Sequence, residues 1–141
     1  MAAKENGSYP SYSSKDKHPL KSLEIIDDGS MGNTELLLEA CPFAIILVDI
    51  DGKVFTLNTK MASIFQLSKK ELIGKSIFPL LELNARERRK QIAHHVFHEK
   101  KPYIFEDYER GLWWRTTILP IKDTNGNVIK IAGIIENIVM E

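Results

Sequence analysis

The sharpest pattern in this chain is apolar runs separated by short polar turns. Ala44-Ile45-Ile46-Leu47-Val48 is apolar without alternation, so it predicts a strand buried on both faces and central in its sheet. Asp49-Ile50-Asp51-Gly52 predicts a hairpin turn, and Val54-Phe55-Thr56-Leu57 returns as the second strand. Tyr103–Glu109 predicts a third strand, with Gly111 turning it into a fourth that carries Trp113, Trp114, Thr116, Ile118, Leu119 and Ile121. An Asn125-Gly126 turn joins that strand to the last, which begins at Val128 and runs to Val139.

Helical periodicity fills the gaps. Asn33 or Thr34 opens a short helix with Leu36, Leu37, Ala40 and Cys41 on one stripe, and Pro42 ends it. Asn58 or Thr59 caps a helix that turns Met61, Ile64 and Phe65 inward. Ser68-Lys69-Lys70-Glu71 has the form of a capping box, and Gly74 closes that turn. Phe78-Pro79-Leu80-Leu81 is an apolar loop. Ala85 to about Lys100 is a longer helix with Arg89, Ile92, Ala93, Val96 and Phe97 on one side. The order β-β-α-α-α-β-β-β predicts an α+β fold: a five-stranded antiparallel sheet with its helices inserted between strands 2 and 3.

In the fourth strand Trp114, Thr116 and Ile118 share one parity, and Trp113, Leu119 and Ile121 the other. Both faces of the sheet therefore expect cover. The inserted helices cover one, and the Thr34–Cys41 helix, a partner chain, or both cover the other. The inward helix faces, the apolar loop and one parity of the fourth strand set Met61, Phe65, Phe78, Ile92, Val96, Thr116 and Ile118 towards one another. Leu36, Leu37, Trp113, Leu119 and Ile121 are the expected homodimer interface.

The order and spacing of several motifs resemble the PAS domain family from Thr34 to Val139. They are Cys41-Pro42-Phe43-Ala44-Ile45, Asp49…Asp51-Gly52, Asn58, Glu71-Leu72-Ile73-Gly74-Lys75, Gly111 with Trp113-Trp114, Pro120, and Asn125-Gly126. No one of these is specific; the series is. The resemblance implies sensor and dimerisation modules within histidine kinases, transcription regulators or cyclic-nucleotide enzymes. It also implies that small ligands, when present, are held between sheet and helices, which would set a ligand here against Met61, Phe65, Phe78, Ile92, Val96, Thr116 and Ile118. The family often ends its last strand with an Asp-Ile-Thr-type signature, and Asn137-Ile138-Val139 stands there in this chain.

Composition narrows the reading. The chain has 141 residues and zero formal net charge, which suits one domain and gives no basic footprint for nucleic acid. Residues 1–29 are polar and Ser/Tyr/Lys-rich, and predict a disordered tail before a sensor domain over residues 30–141. The basic run Arg86-Glu87-Arg88-Arg89-Lys90 predicts a solvated helix face. One cysteine, Cys41, excludes an intramolecular disulfide. The N-terminus lacks a signal-peptide core, and no apolar run approaches the ~20 residues that span a bilayer. A cytoplasmic protein is expected, with no membrane partner.

Cofactor chemistry is expected to be absent. Light-sensing members of the resembled family carry an Asn-Cys-Arg motif, whereas Asn84-Ala85-Arg86 is the nearest segment here. Haem-binding members use a histidine on the long helix. At about 100° per residue, His94 and His95 lie roughly 130° from the inward direction and His98 roughly 170°. His94 and His98 have metal-chelating spacing but no supporting ligands. The acidic pairs Asp49/Asp51 and Glu106/Asp107 sit on a turn and an edge strand, and no nucleophile has an adjacent base. The chain reads as no enzyme. It reads as a regulatory sensor that binds a small apolar molecule or relays a state through dimerisation to an effector domain or partner signalling protein. The alternative is a ligand-free interaction module whose core its own large side chains fill.

Overall fold

A computed structural model of the chain describes residues 4–6, 32–109 and 111–138. In chain order the elements are β1 (Lys4–Asn6), α1 (Asn33–Ala40), β2 (Ala44–Val48), β3 (Val54–Leu57), α2 (Thr59–Phe65) and α3 (Lys69–Leu72). A 3-10 turn (Phe78–Leu80), α4 (Leu83–Glu99), β4 (Tyr103–Glu109), β5 (Leu112–Lys122) and β6 (Val128–Ile138) follow. The five long strands form the expected antiparallel sheet, with α2, α3, the 3-10 turn and α4 inserted between its second and third strands. The strand order is β1-β4-β5-β6-β2-β3. The three-residue β1 adds a sixth strand on the edge of β4, pairing Asn6 with Ile104. The rest of the expected 1–29 tail, and Val139, lie outside the described residues.

β2 is interior, between β6 and β3, as its apolar run requires. Its two faces are not equivalent. Ala44, Ile46 and Val48 are buried, whereas Ile45 and Leu47 are half-buried, so the helix side is the drier one. The buried cluster that fills this side includes Val54, Leu57, Met61, Leu72, Phe78, Ile92, Val96 and Ile131.

The two tight hairpin turns use one device. Asp49 Oδ1 accepts from the backbone N–H groups of Asp51 and Lys53, both at 2.9 Å. Asp123 Oδ1 accepts in the same way from Asn125 at 2.9 Å and Asn127 at 3.0 Å. Gly52 and Gly126 follow three residues after each aspartate, at φ 78° and 82°. An acceptor at the first position and a left-handed residue at the fourth close both turns. Asp49 thus has a structural task in its turn.

Local sequence signals position the inserted helices. Asn58 caps α2, and Ser68 and Glu71 form the expected reciprocal capping box on α3. α1 starts after Gly32, with no side-chain cap from Asn33 or Thr34. The segment after α3 docks on β3: Val54 N–H donates to Lys75 O, and Gly74 N–H donates to Val54 O. Ile77 N–H then donates to Gly52 O, and the Ser76 hydroxyl to Asp51 O at 2.7 Å. These bonds pin the 3-10 turn, and Phe78 with it, over the β2–β3 hairpin.

Two expectations need correction. The basic run on α4 is not wholly a solvated face. Arg86 bends back to donate to the carbonyls of Phe78, Pro79 and Leu81, at 3.0–3.2 Å, satisfying the end of the 3-10 turn. Arg89 faces the sheet. The outer sheet face is also not a continuous apolar surface. Arg115 lies in register between Glu106 and Glu136, with its guanidinium 3.5 and 3.6 Å from their carboxylates. This ion triplet sits in the same parity as Trp113 and Leu119.

Candidate functional site: a cavity between sheet and helices

A cavity of about 100 Å³ lies between the sheet and the inserted helices. Six of the seven residues expected around a ligand line it: Met61, Phe65, Phe78, Ile92, Thr116 and Ile118. Val96, the seventh, is fully buried in the neighbouring core and is not among the lining residues. The elements explain the convergence. α2 offers Met61 and Phe65 one turn apart, α4 offers Ile92 and Ala93, and alternate residues of β5 offer Thr116 and Ile118. Gly133 on β6 lines the cavity too, and its missing side chain leaves Ile46 room: a Cβ there would lie 3.2 Å from Ile46 Cγ2.

The cavity's charged residue is Arg89. Its guanidinium carbon sits 4.3 Å from the centroid of the Phe105 ring, and Nη2 donates to Asp107 Oδ2 at 3.3 Å. Asp107 is buried, on the same face of the sheet as Phe105 and Thr116. The spacing of Arg89 three residues before Ile92 already placed it on the inward stripe. Its partner on β4 was not visible in the sequence, because a cross-element ion pair leaves no local pattern.

Phe78 borders two spaces. It lines the inner cavity and also an open surface groove of about 400 Å³ with Ile50, Asp51, Ser76, Pro79, Lys90 and His94. Its ring packs on Gly52, where a Cβ would come within 2.9 Å of Cδ2 and Cε2.

His94, His95 and His98 are all exposed, and none lines the cavity. His94 and His98 stack with ring centroids 6.3 Å apart, and His95 meets the edge of Tyr103 at 5.5 Å. Cys41 is half-buried at the end of α1 and does not line the cavity. Among the described residues, the cavity wall thus offers neither an inward axial ligand for haem nor a thiol beside a flavin. Among the described residues no three His, Cys, Asp or Glu side chains are grouped to hold a metal ion.

The expected interface residues differ in exposure. Leu36 is 8% exposed within the single chain, whereas Leu37 is 64% exposed. Trp113 and Leu119 are half-buried on the outer face, and Ile121 is exposed at its end. Tyr108 meets Trp113 edge-on at 5.6 Å. Trp114, of the other parity, borders a shallow groove with Phe43, Lys60 and Ile64.

α1 is anchored at its C-terminal end. Asn58 Nδ2 donates to Leu38 O at 2.9 Å and to Phe43 O at 2.8 Å. Asn58 Oδ1 accepts from Ile45 N–H at 3.1 Å and Met61 N–H at 3.0 Å. The side chain is fully buried and uses all four of its bonding directions. Beside it, Glu39 accepts from the backbone N–H and hydroxyl of Thr59 and from Lys69 Nζ at 2.9 Å. Burial pushes the Glu39 carboxyl up, but the bonds from Lys69 and Thr59 outweigh it and leave the group below the usual glutamate value. Of the two caps the sequence allows, Asn58 and Thr59, the structure uses Asn58, and it adds a role no local pattern announces, as a joint between α1, β2 and α2.

No helix among the described residues is long and apolar enough to cross a membrane. A search of curated proteins by sequence finds no match. Solved structures do resemble the chain. The PAS domain of Bordetella pertussis BvgS aligns with a TM-score of 0.65 at 17% identity, covering 76% of this chain and 85% of that one. A sensory box sensor histidine kinase from Vibrio cholerae aligns at 0.64 and 15% identity, covering 77% and 90%. VqmA bound to DPO aligns at 0.63 and 16% identity, covering 73% of this chain and 55% of that one; VqmA occurs in Vibrio cholerae. At such identities the likeness carries the fold. The model of the PAS fold family matches residues 38–140, most of the chain, and the chain belongs to that family.

Proposed function

We propose that this domain is the signal-sensing module of a histidine kinase or transcription regulator, and that it binds a small apolar molecule in the cavity between sheet and helices. The cavity itself carries the reading. It is walled by Met61 and Phe65 of α2, Ile92 of α4 and Thr116 and Ile118 of β5, so an occupant touches both layers at once. A molecule seated there would bias the packing of helices on sheet, which is how a binding event becomes a conformational signal. Sensor domains of histidine kinases and a LuxR-type receptor share the fold, which supports a regulatory rather than catalytic role. Relay to an effector domain through a homodimer belongs to the same proposal.

The alternative is an interaction module with a self-filled core. One observation favours it: about 100 Å³ is small, and large side chains such as Phe65 and Phe78 are already among its walls. Native mass spectrometry of freshly purified protein, with amide chemical shifts during titration of small apolar probes, separates the two. The sensing reading expects a retained small molecule, or shifts at Met61, Ile92 and Thr116. A protein with no retained mass, and with amides that no probe moves, favours the filled core.

The proposal includes no haem and no flavin, because His94, His95 and His98 are exposed and Cys41 is not among the cavity's lining residues. A Soret or flavin absorption band in purified protein would overturn that part.

A further inference from the structure

The composition of the cavity wall sets limits on what fits inside. Of its described lining residues, Arg89 alone is charged, and Thr116 adds a hydroxyl. The rest are aliphatic, aromatic, or glycine. Arg89 and Asp107 form an internally neutral pair, with side chains 20% and 8% exposed.

We propose that the cavity takes a small, uncharged, single-ring molecule carrying a hydrogen-bond acceptor, with the acceptor on the Arg89 side and the ring among Met61, Phe65, Ile92 and Ile118. This rests on the reading of the cavity as a ligand site. Size gives the single ring. An engineered apolar cavity of about 150 Å³ holds benzene, so a space of about 100 Å³ admits a ring of roughly that size only with slight yielding of its walls. Charge balance makes the molecule neutral. An anion would leave a net negative charge beside the buried Asp107 carboxylate, in a wall with little else to solvate it. A cation would lie against the Arg89 guanidinium. The acceptor follows from the wall's one cationic group. A carbonyl or ring oxygen facing a guanidinium gains a charge-assisted bond that a hydrocarbon cannot make.

Three probes of similar size test this by amide chemical shifts on the full chain: benzene, 2-pyridone and benzoate. The expected result is 2-pyridone binding roughly tenfold or more tighter than benzene, with benzoate weakest. The Arg89 Nε–H resonance should move with 2-pyridone and stay still with benzene. The double variant Arg89→Met, Asp107→Leu replaces the ion pair with apolar groups and should erase the preference while keeping benzene binding. Should that variant not fold, the Arg89 resonance in the unaltered chain decides. Equal binding of benzene and 2-pyridone, with the Arg89 resonance unmoved, overturns the ligand class and leaves the sensing reading standing. Benzoate binding tightest would make the site an anion site and overturn the neutral class. If none of the three moves the amides around the cavity, this inference falls, and if the purified protein also carries no retained mass, the sensing reading falls with it.

Discussion

The side-chain amide of Asn58 donates to the carbonyl of Leu38, 2.9 Å away and 20 residues earlier in the chain. One residue thereby ties the end of α1 to the start of α2, the helix that supplies Met61 and Phe65 to the cavity. The other three bonds of Asn58 hold Phe43, Ile45 and Met61. Asn58→Ala removes the cap and strands several buried backbone groups without partners. Each such group costs about 1–3 kcal/mol, so a total loss of about 3–5 kcal/mol is expected, less than a simple sum because the site relaxes. Asn58→Asp keeps the acceptor but sets a carboxylate oxygen against the carbonyls of Leu38 and Phe43. It should be no better than alanine. Urea unfolding at neutral pH measures both; an aspartate variant as stable as the parent would contradict the donor role.

Gly52 and Gly126 make a controlled pair. Both occupy the left-handed region in equivalent turns, so Gly→Ala carries similar backbone strain at each. Only Gly52 meets a neighbour, with Phe78 ring carbons 2.9 Å from the added Cβ; nothing lies within 4 Å at Gly126. Gly126→Ala should cost about 1 kcal/mol, and Gly52→Ala should cost at least about 1 kcal/mol more. Because Phe78 also lines the cavity, Gly52→Ala should shift resonances of Met61 and Ile92, and Gly126→Ala should not. Equal losses of stability would mean that the Phe78 ring yields freely.

Much of this fold could be read in the sequence because its signals are local. Turn residues at Asp49–Gly52 and Asn125–Gly126, the Ser68–Glu71 box and the periodicity of Ile92, Ala93 and Val96 each act within a few residues. The inward faces of α2, α4 and β5 followed from the same periodicities, and they brought together six of the seven residues expected at the cavity. What the sequence hid was long-range. Nothing near Arg115 announces that Glu106 and Glu136 flank it in register, and nothing near Arg89 names Asp107. The contrast between Leu36 and Leu37 was hidden as well, because on a helix of eight residues a broad apolar stripe does not say which leucine its own chain covers.

Glu39 predicts a pH dependence. Its folded carboxyl lies below the usual glutamate value, since the bonds from Lys69 and Thr59 outweigh the upward push of burial. A depressed folded value means the unfolded chain binds the proton first as pH falls. The stabilisation is therefore complete above the unfolded value, about 4.3, and drains away as pH drops through the lower folded one. Glu39→Gln should cost about 0.5–1 kcal/mol at pH 7, a modest figure for a partly exposed pair. The difference between variant and parent should narrow as pH falls below the usual glutamate range and through the lower folded value. Stability curves at pH 7, 5, 4 and 3 check this; a gap that persists unchanged at the lowest pH would assign the effect to packing rather than charge.

Adjacent leucines on α1 separate folding from assembly. Leu36 is 8% exposed in the single chain and belongs to its own fold; Leu37 is 64% exposed and packs on little of it. The proposed homodimer joins α1 to the outer sheet face, where Trp113 and Leu119 are half-buried and Ile121 is exposed. Two-fold symmetry would bring the same patch from each copy together. Burying two or three such side chains contributes on the order of 1.5–3 kcal/mol each. The ion triplet around Arg115 lies within that face and contributes little to association if its charges must be desolvated. Lost rotational and translational freedom offsets much of the apolar gain, so a dissociation constant in the micromolar range is expected. Leu37→Asp and Leu119→Asp should shift sedimentation towards monomer while the circular dichroism of the sheet is kept. Leu36→Asp, by contrast, should lower the melting temperature, because it buries a charge without a partner. A parent chain that sediments as a monomer at high micromolar concentration would remove the dimer and leave Leu37 as an ordinary exposed leucine.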